Sequence, residues 1–371
     1  MDNNRFLRHS LIDWFDIARL RRSSVVVVGA GAIGNEVLKN LCLLGVGRLH
    51  VIDFDIIELH NLPRTVLFAS SDIGRPKAEV AAEACRKIDP ECVVTYSTTD
   101  FWESLSMGEM KCFDAVLSCV DNFEARIRLN RLCFISQVDF YSAAIDSRAV
   151  SIEQYPFGEE MEGACYQCNL PMSVYTRIGE RYSCGWLRKT AIEEKKVPTT
   201  IITSSIAAAQ ASSLFLQRHH PDRLVGAVRA YTDTVTLRST VSQLTRAADC
   251  QLCSTLKLER HIFRVKGGAF ASIAESLAPA IADIDFYFSD PLILDAKCKI
   301  CGEDRAINDR AEKYDEALLI CLNCNVRSND ITFADSMSLS ELARRFSSQP
   351  VPVKFISFEY EGKQFFLEME A

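Results

Sequence analysis

Eight of the fifteen cysteines stand in four Cys-x-x-Cys pairs, a spacing suited to gripping a metal ion. Cys165 and Cys168 can join Cys250 and Cys253 in one tetrahedral site across 81 intervening residues. Cys298 and Cys301 are separated from Cys321 and Cys324 by only 19 residues, the spacing of a zinc ribbon. Closed sets of four thiolates leave no open coordination position, so both predict structural zinc. Of the seven other cysteines, Cys42, Cys85, Cys92, Cys112, Cys119 and Cys133 lie in apolar or helical contexts and are expected as small core residues. Cys184, in "ERYSCGWLRKT", differs. Arg181, Arg188 and Lys189 would favour its thiolate and Gly185 permits close backbone approach. Local context leaves a packed thiol and a nucleophile both open.

A second constellation points to phosphate. "GAGAIG" places Gly29, Gly31 and Gly34 after a Val-rich run, where glycines let backbone approach an anion and the following helix offers free amides, that of Ala32 among them. Asp53 closes the next apolar run, at the distance where an acid can bond ribose hydroxyls. "HNLPR" adds Asn61 and Arg64, "GRPKAE" adds Lys77, and "SCVDNFEAR" adds Asp121 and Asn122 beyond a third apolar run. A dinucleotide needs little beyond the glycines and one acid. Two cations and a further aspartate suit ATP with Mg²⁺.

Such residues need a frame, and the first 150 residues supply one. "SSVVVVGAG", "RLHVIDFD", "CVVTYSTTD" and "FDAVLSCVDN" read as strands; "AIGNEVLKNLCLLGVG", "PKAEVAAEACRKIDP" and "FEARIRLNRLCFIS" read as helices between and after them. Strands alternating with helices predict a parallel sheet covered on both faces. From 151 to 200 the pattern is irregular. "TIITSSIAAAQASSLFLQRHH" predicts a long buried helix, "RAYTDTVTLRSTVS" a strand pair, "MSLSELARRF" a short helix, and "VPVKFISFEYEGKQFFLEME" a hairpin turning at Glu361-Gly362. With 48% hydrophobic and 25% charged residues the composition is that of a soluble globular protein. The net charge of −7 weighs against a nucleic-acid partner. No apolar run approaches the roughly 20 residues of a membrane span, and the first residues lack a signal-peptide layout. The expectation is a cytoplasmic chain with reduced thiols.

The order of these motifs resembles the adenylating domain shared by ThiF, MoeB and the ubiquitin-activating enzymes. "GAGAIGNEVLKNLCLLGVGRLHVIDFDIIELHNLPR", "GRPKAE" and "VDNFEARIRLN" carry the likeness. It implies an α/β, Rossmann-like, doubly wound and mostly parallel sheet over residues 1–255, with a Cys₄ zinc at Cys165, Cys168, Cys250 and Cys253. It implies that Asp53, Asn61, Arg64, Lys77 and Asp121 hold ATP and Mg²⁺. "RFLRHS" is similar to the family's arginine-bearing N-terminal arm, which implies that Arg8 reaches the ATP of a partner subunit in a homodimer. Pro63 and Thr65 depart from the usual family residues.

The same resemblance bears on Cys184. In compact enzymes of this family that activate a ubiquitin-fold modifier, the catalytic cysteine similarly precedes a Pro-Thr-Thr that opens a buried helix; here that is "VPTTIITSSIAAAQA", after a longer segment. The chain is therefore expected to adenylate the C-terminal glycine of a ubiquitin-like protein, hold it as a thioester on Cys184, within a crossover segment 165–200, and pass it to a conjugating enzyme. Two alternatives stand beside this. One is sulfur-carrier adenylation of the ThiF or MoeB type, and the other a non-catalytic half of a heterodimer. Beyond 255 the expectation is a small C-terminal zinc-ribbon and α+β addition: an accessory region 256–335 with its ribbon at 298–324, then a ubiquitin-fold-like helix and hairpin at 336–371.

Overall fold

The computed structural model describes residues 5–158, 163–174, 199–254, 256, 260–265, 284–347 and 349–369. The chain forms two compact units, one of residues 1–170 with 195–255, the other of 171–194 with 256–371.

In the first unit the Val-rich run is β1 (Ser24–Val28), buried at every position, as a central parallel strand covered on both faces must be. It leads to α2 (Ala32–Leu44), after a short α1 (Ile17–Arg22). Then come β2 (Arg48–Ile52), α3 (Lys77–Ile88), β3 (Val93–Ser97), the single turns α4 (Phe101–Ser104) and α5 (Met107–Met110), β4 (Ala115–Ser118), α6 (Phe123–Ser136) and β5 (Asp139–Ile145). These five strands pair in parallel in the order β3-β2-β1-β4-β5. The chain travels outward from β1 to β3, then returns to the other side of β1 as β4. The order therefore reverses between β1 and β4, the place where open sheets of this kind bind ligands beyond the strands' carboxyl ends.

Three antiparallel strands extend the sheet: β6 (Ala149–Tyr155), β7 (Val228–Asp233) and β8 (Arg238–Gln243). The last two are the expected strand pair. The irregular stretch read from 151 onward is corrected here, since β6 continues to Tyr155. Its "SIEQY" hides the strand by burying Glu153, which is held by Arg229 at 2.7 Å and Tyr155 at 2.9 Å. The long helix is α7 (Ile201–Leu216), started by a capping box between Thr200 and Thr203. Val25, Val27, Leu49, Val51, Leu117 and Ala143 meet α2, α3 and α7 in one apolar core. Phe140 alternates to the opposite face with Tyr155 and Tyr166.

The N-terminal arm is pinned to this unit. Phe6 is buried between the guanidinium groups of Arg5 and Arg21, 5.2 and 4.9 Å from its ring centre. Both arginines bond the fully buried Asp89, at 3.0 and 2.6 Å. Arg8 follows on the exposed side of the arm.

The second unit contains β9 (Arg260–Val265), β10 (Asp285–Cys298), β11 (Asp304–Arg310), β12 (Asn329–Ser338), α8 (Leu339–Arg345), β13 (Phe355–Tyr360) and β14 (Lys363–Met369). The long β10 pairs with β11, β12 and β13, so the cysteine-bearing hairpins and the C-terminal hairpin share one sheet. Glu361 and Gly362, both at positive φ, make the turn between β13 and β14. Leu342 and Phe346 pack with Phe286, Ile356, Phe358 and Leu367 in the unit's core. Among the described residues no helix is long and apolar enough to cross a membrane.

Candidate nucleotide site and cysteine clusters

The turn after β1 is built from glycine because nothing larger fits. Gly29 has φ +90°, and a Cβ there would stand 2.8 Å from the Cys119 carbonyl oxygen beyond β4. A Cβ on Gly34 would stand 1.8 Å from the Gly29 carbonyl oxygen, so the first turn of α2 rests directly on the loop. Gly31 differs: no heavy atom lies within 4 Å of its Cβ position. Gly31 caps α2 without a side chain, so the amides at the start of the helix, Ala32 among them, are offered toward that open space. Asn35, fully buried, braces the turn. Its Nδ2 donates to the Ala30 carbonyl at 2.5 Å and its Oδ1 accepts from the Leu67 amide at 2.8 Å.

Asp53 follows β2. One carboxylate oxygen accepts from the Ala30 amide at 2.7 Å, the other from the Asp55 amide at 2.8 Å. Burial pushes its pKa up, opposed by the charge of Lys77 and by those two amides. Lys77, the first residue of α3, is buried and pairs with Asp55 at 2.7 Å, and its amide donates to the Asp55 carbonyl at 2.9 Å. Lys77, Asp55, Asp53 and the glycine turn are thus one hydrogen-bonded chain. Asn61 is buried with its Oδ1 on the Glu58 amide, closing the turn that carries Arg64. The Arg64 guanidinium donates to Thr199 Oγ1 at 2.7 Å, just ahead of α7. Pro63 lies inside this 3₁₀ turn and the Thr65 hydroxyl bonds the Asn61 carbonyl at 3.1 Å, so both departures serve the turn.

Asp121 lies beyond β4, exposed, with Asn122 Nδ2 at 3.5 Å. Asn122 caps α6 by accepting from the Ala125 amide at 2.8 Å. An exposed carboxylate at the strand-order reversal is a suitable ligand for Mg²⁺ carried with a triphosphate. Arg8 is exposed, and among the described residues no hydrogen bond or ion pair joins it to this group.

Both cysteine sets assemble. Cys165 Sγ lies 3.8 Å from Cys168 Sγ and 3.5 Å from Cys250 Sγ, and Cys168 Sγ lies 3.3 Å from Cys253 Sγ. In the second set Cys298 and Cys324 are 3.6 Å apart and Cys301 and Cys321 3.5 Å apart. In each set all four sulfurs fall within 4.8 Å of one another. A tetrahedral zinc with bonds of about 2.3 Å separates its sulfurs by about 3.8 Å, so both sets can hold that ion. The lone cysteines Cys42, Cys85, Cys92 and Cys133 are buried as expected, and Cys119 is half-buried. Cys112 corrects the expectation: it is exposed, in the turn between α5 and β4. Cys184, with Arg181, Gly185, Arg188 and Lys189, lies outside the described residues.

The sequence profile of the ThiF family matches residues 4–253. The chain belongs to the ThiF family. Among curated relatives, ubiquitin-like modifier-activating enzyme 5 of Bombyx mori is 31% identical over 194 residues, covering 49% of this chain and 48% of that one. The enzyme of the same name from Drosophila mojavensis is 31% identical over 216 residues, covering 54% and 52%. The chain thus spans about half the length of the curated relatives it matches. The solved structure of E. coli MccB with ATP superposes with a TM-score of 0.55 at 22% identity, over 68% of this chain and 74% of that one; it shares the fold. The matched ThiF region holds the glycine turn, Asp53, Asn61, Arg64, Lys77, Asp121 and the first cysteine set, and stops before the second.

Several supporting residues of this ThiF-family site carried no signal in the sequence reading. Asp55 stands two residues after Asp53, and only the fold shows it bonded to Lys77, 22 residues on. Asn35 could have been noticed as an amide on the apolar side of α2. Thr199 stands in the quoted Pro-Thr-Thr, but its bond to Arg64, 135 residues away, could not be read from it.

Proposed function

We propose that this ThiF-family chain activates the C-terminal glycine of a ubiquitin-like protein with ATP. The observation that carries the reading is the hydrogen-bonded chain of Lys77, Asp55, Asp53 and the glycine turn, with open space at Gly31, at the reversal of strand order between β1 and β4, the strand that Asp121 follows. The incoming carboxylate is already ionised and needs no general base. It attacks the α-phosphorus, the bond to the bridging oxygen breaks, and pyrophosphate leaves with the electron pair. Lys77 must exchange Asp55 for a phosphate oxygen, and Arg64, oriented by Thr199, meets the growing charge. Mg²⁺ held by Asp121 would neutralise phosphate oxygens. The acyl-adenylate then passes to the Cys184 thiolate, AMP leaves, and a thioester forms for a conjugating enzyme.

The rest of the reading joins what the resemblance implies to what the cysteine spacing and the composition predict. Arg8 serves the neighbouring subunit of a homodimer, zinc fills both cysteine sets, the ubiquitin-fold-like residues 336–371 receive the conjugating enzyme, and the protein works in the cytoplasm. ATP–pyrophosphate exchange in the presence of a carrier protein tests the first step, and Lys77→Ala is expected to lower it at least about a hundredfold. Absence of exchange with any carrier would favour the non-catalytic half. A reductant-sensitive adduct lost in Cys184→Ala tests the second step. Exchange without that adduct would assign the chain to sulfur-carrier activation instead.

A further inference from the structure

The first cysteine set and the Asp121 loop are both tied to α6 through two polar side chains, Asn130 and Arg126, to which neither the cysteine spacing nor the phosphate chemistry assigns a role. Tyr166 follows Cys165 directly. Its amide donates to Asn130 Oδ1 at 3.0 Å. Arg126 and Asn130 are one helical turn apart on α6, whose N-cap is Asn122, next to Asp121. Arg126 reaches back and donates to the Val120 carbonyl at 2.6 Å, the residue before Asp121, and to the Ala143 carbonyl on β5 at 3.1 Å. One helix, α6, thus carries both the contact to the Cys165 knuckle and the contact to the residue before Asp121.

The arrangement is also costly. Asn130 has no exposure and Arg126 only 8%. Among the described residues Asn130 Nδ2 and Arg126 Nε are buried without a hydrogen-bond partner. An apolar helix face would leave no such orphans, so these residues need a reason other than stability. Their placement supplies one. A cation and an amide fix both the carbonyl that precedes Asp121 and the knuckle that carries Cys165.

We propose that Arg126 and Asn130 are positioning residues that hold the Asp121 loop in register with the closed first cysteine set. They act through Asp121 and touch no substrate. The inference rests on the reading of this face as the Mg²⁺-ATP site.

The test uses the full chain loaded with zinc. Calorimetry measures the Kd of ATP with Mg²⁺ and of AMP without it, for the native chain, Arg126→Lys and Asn130→Ala. Replacing the guanidinium that donates to the Val120 carbonyl is expected to weaken Mg²⁺-ATP about tenfold, the usual scale for a group that orients a metal ligand. AMP binding and zinc content should stay unchanged. Hydrogen exchange should rise at residues 119–122 but not at the glycine turn. Equal weakening of ATP and AMP, or no change in either, would overturn the positioning role while leaving the nucleotide reading intact. A native chain with no affinity for ATP would overturn both.

Discussion

The two cysteine clusters use the same donors at nearly the same separations, yet they hold together different amounts of chain. Cys165, Cys168, Cys250 and Cys253 are mostly buried and join two segments 81 residues apart, around β7, β8 and α7. Cys298, Cys301, Cys321 and Cys324 include an exposed member and join the ends of a hairpin across 19 residues. Closing the longer loop costs about 1.3 kcal/mol more in the unfolded chain, from the logarithm of the length ratio. The remaining difference is in the neighbours. The first cluster leans on α6 through the Tyr166 amide, and α6 in turn holds the loop of Asp121 through Arg126. The second leans on β10, whose other partners are β12 and the C-terminal hairpin strand β13. Identical chemistry is therefore a clamp on a candidate active site in one unit and a local staple in the other.

The comparison breaks most visibly if one thiol is removed from each set. Cys253→Ser is expected to lower the stability of the first unit by more than about 4 kcal/mol, as loss of a structural metal does, and to abolish ATP binding measured by calorimetry. Cys321→Ser should be smaller in reach. Circular dichroism should show loss of the second unit's transition, while ATP affinity stays within twofold of the native chain. If Cys321→Ser abolishes nucleotide binding as completely as Cys253→Ser, the clusters are not functionally distinct. A third change gauges the second unit without its cysteines. Arg345 makes a two-pronged bond to Asp295 at 2.8 and 2.9 Å and bonds Glu341 at 3.1 Å, largely shielded from water. Arg345→Ala should cost about 2 kcal/mol in that unit's unfolding by urea, with the ribbon's metal retained.

What the sequence disclosed follows the same division. The glycine turn, Asp53, Lys77, Asp121 and both cysteine sets lie in short runs whose spacing is fixed by local geometry, so their types and order were legible. Residues whose meaning comes from a distant partner were not. Asp55 needs Lys77, Thr199 needs Arg64, and Tyr166 needs Asn130, 36 residues earlier. The strand β6 was obscured because its buried Glu153 is neutralised by Arg229, 76 residues further on. The shared sheet of the second unit was hidden for the same reason, since β10 joins strands drawn from three separate stretches.

The smallest expected effect separates the two units by acid. Burial raises the pKa of Asp53 in the folded first unit, the opposing charge of Lys77 notwithstanding. A carboxyl whose folded pKa exceeds its unfolded one, about 4, favours folding most when protonated. That contribution is full below about 4 and is lost as pH rises through the higher folded value. Asp53→Asn cannot titrate. Measured without nucleotide, the native first unit should therefore gain stability relative to Asp53→Asn as pH falls from 7 toward 4, and the second unit's transition should be the same in both chains. A stability difference that stays flat with pH, or grows in the opposite direction, would mean that Lys77 and the two amides outweigh burial. Asp53 would then be a satisfied anion before any ligand arrives, rather than a strained one that a bound ribose hydroxyl relieves.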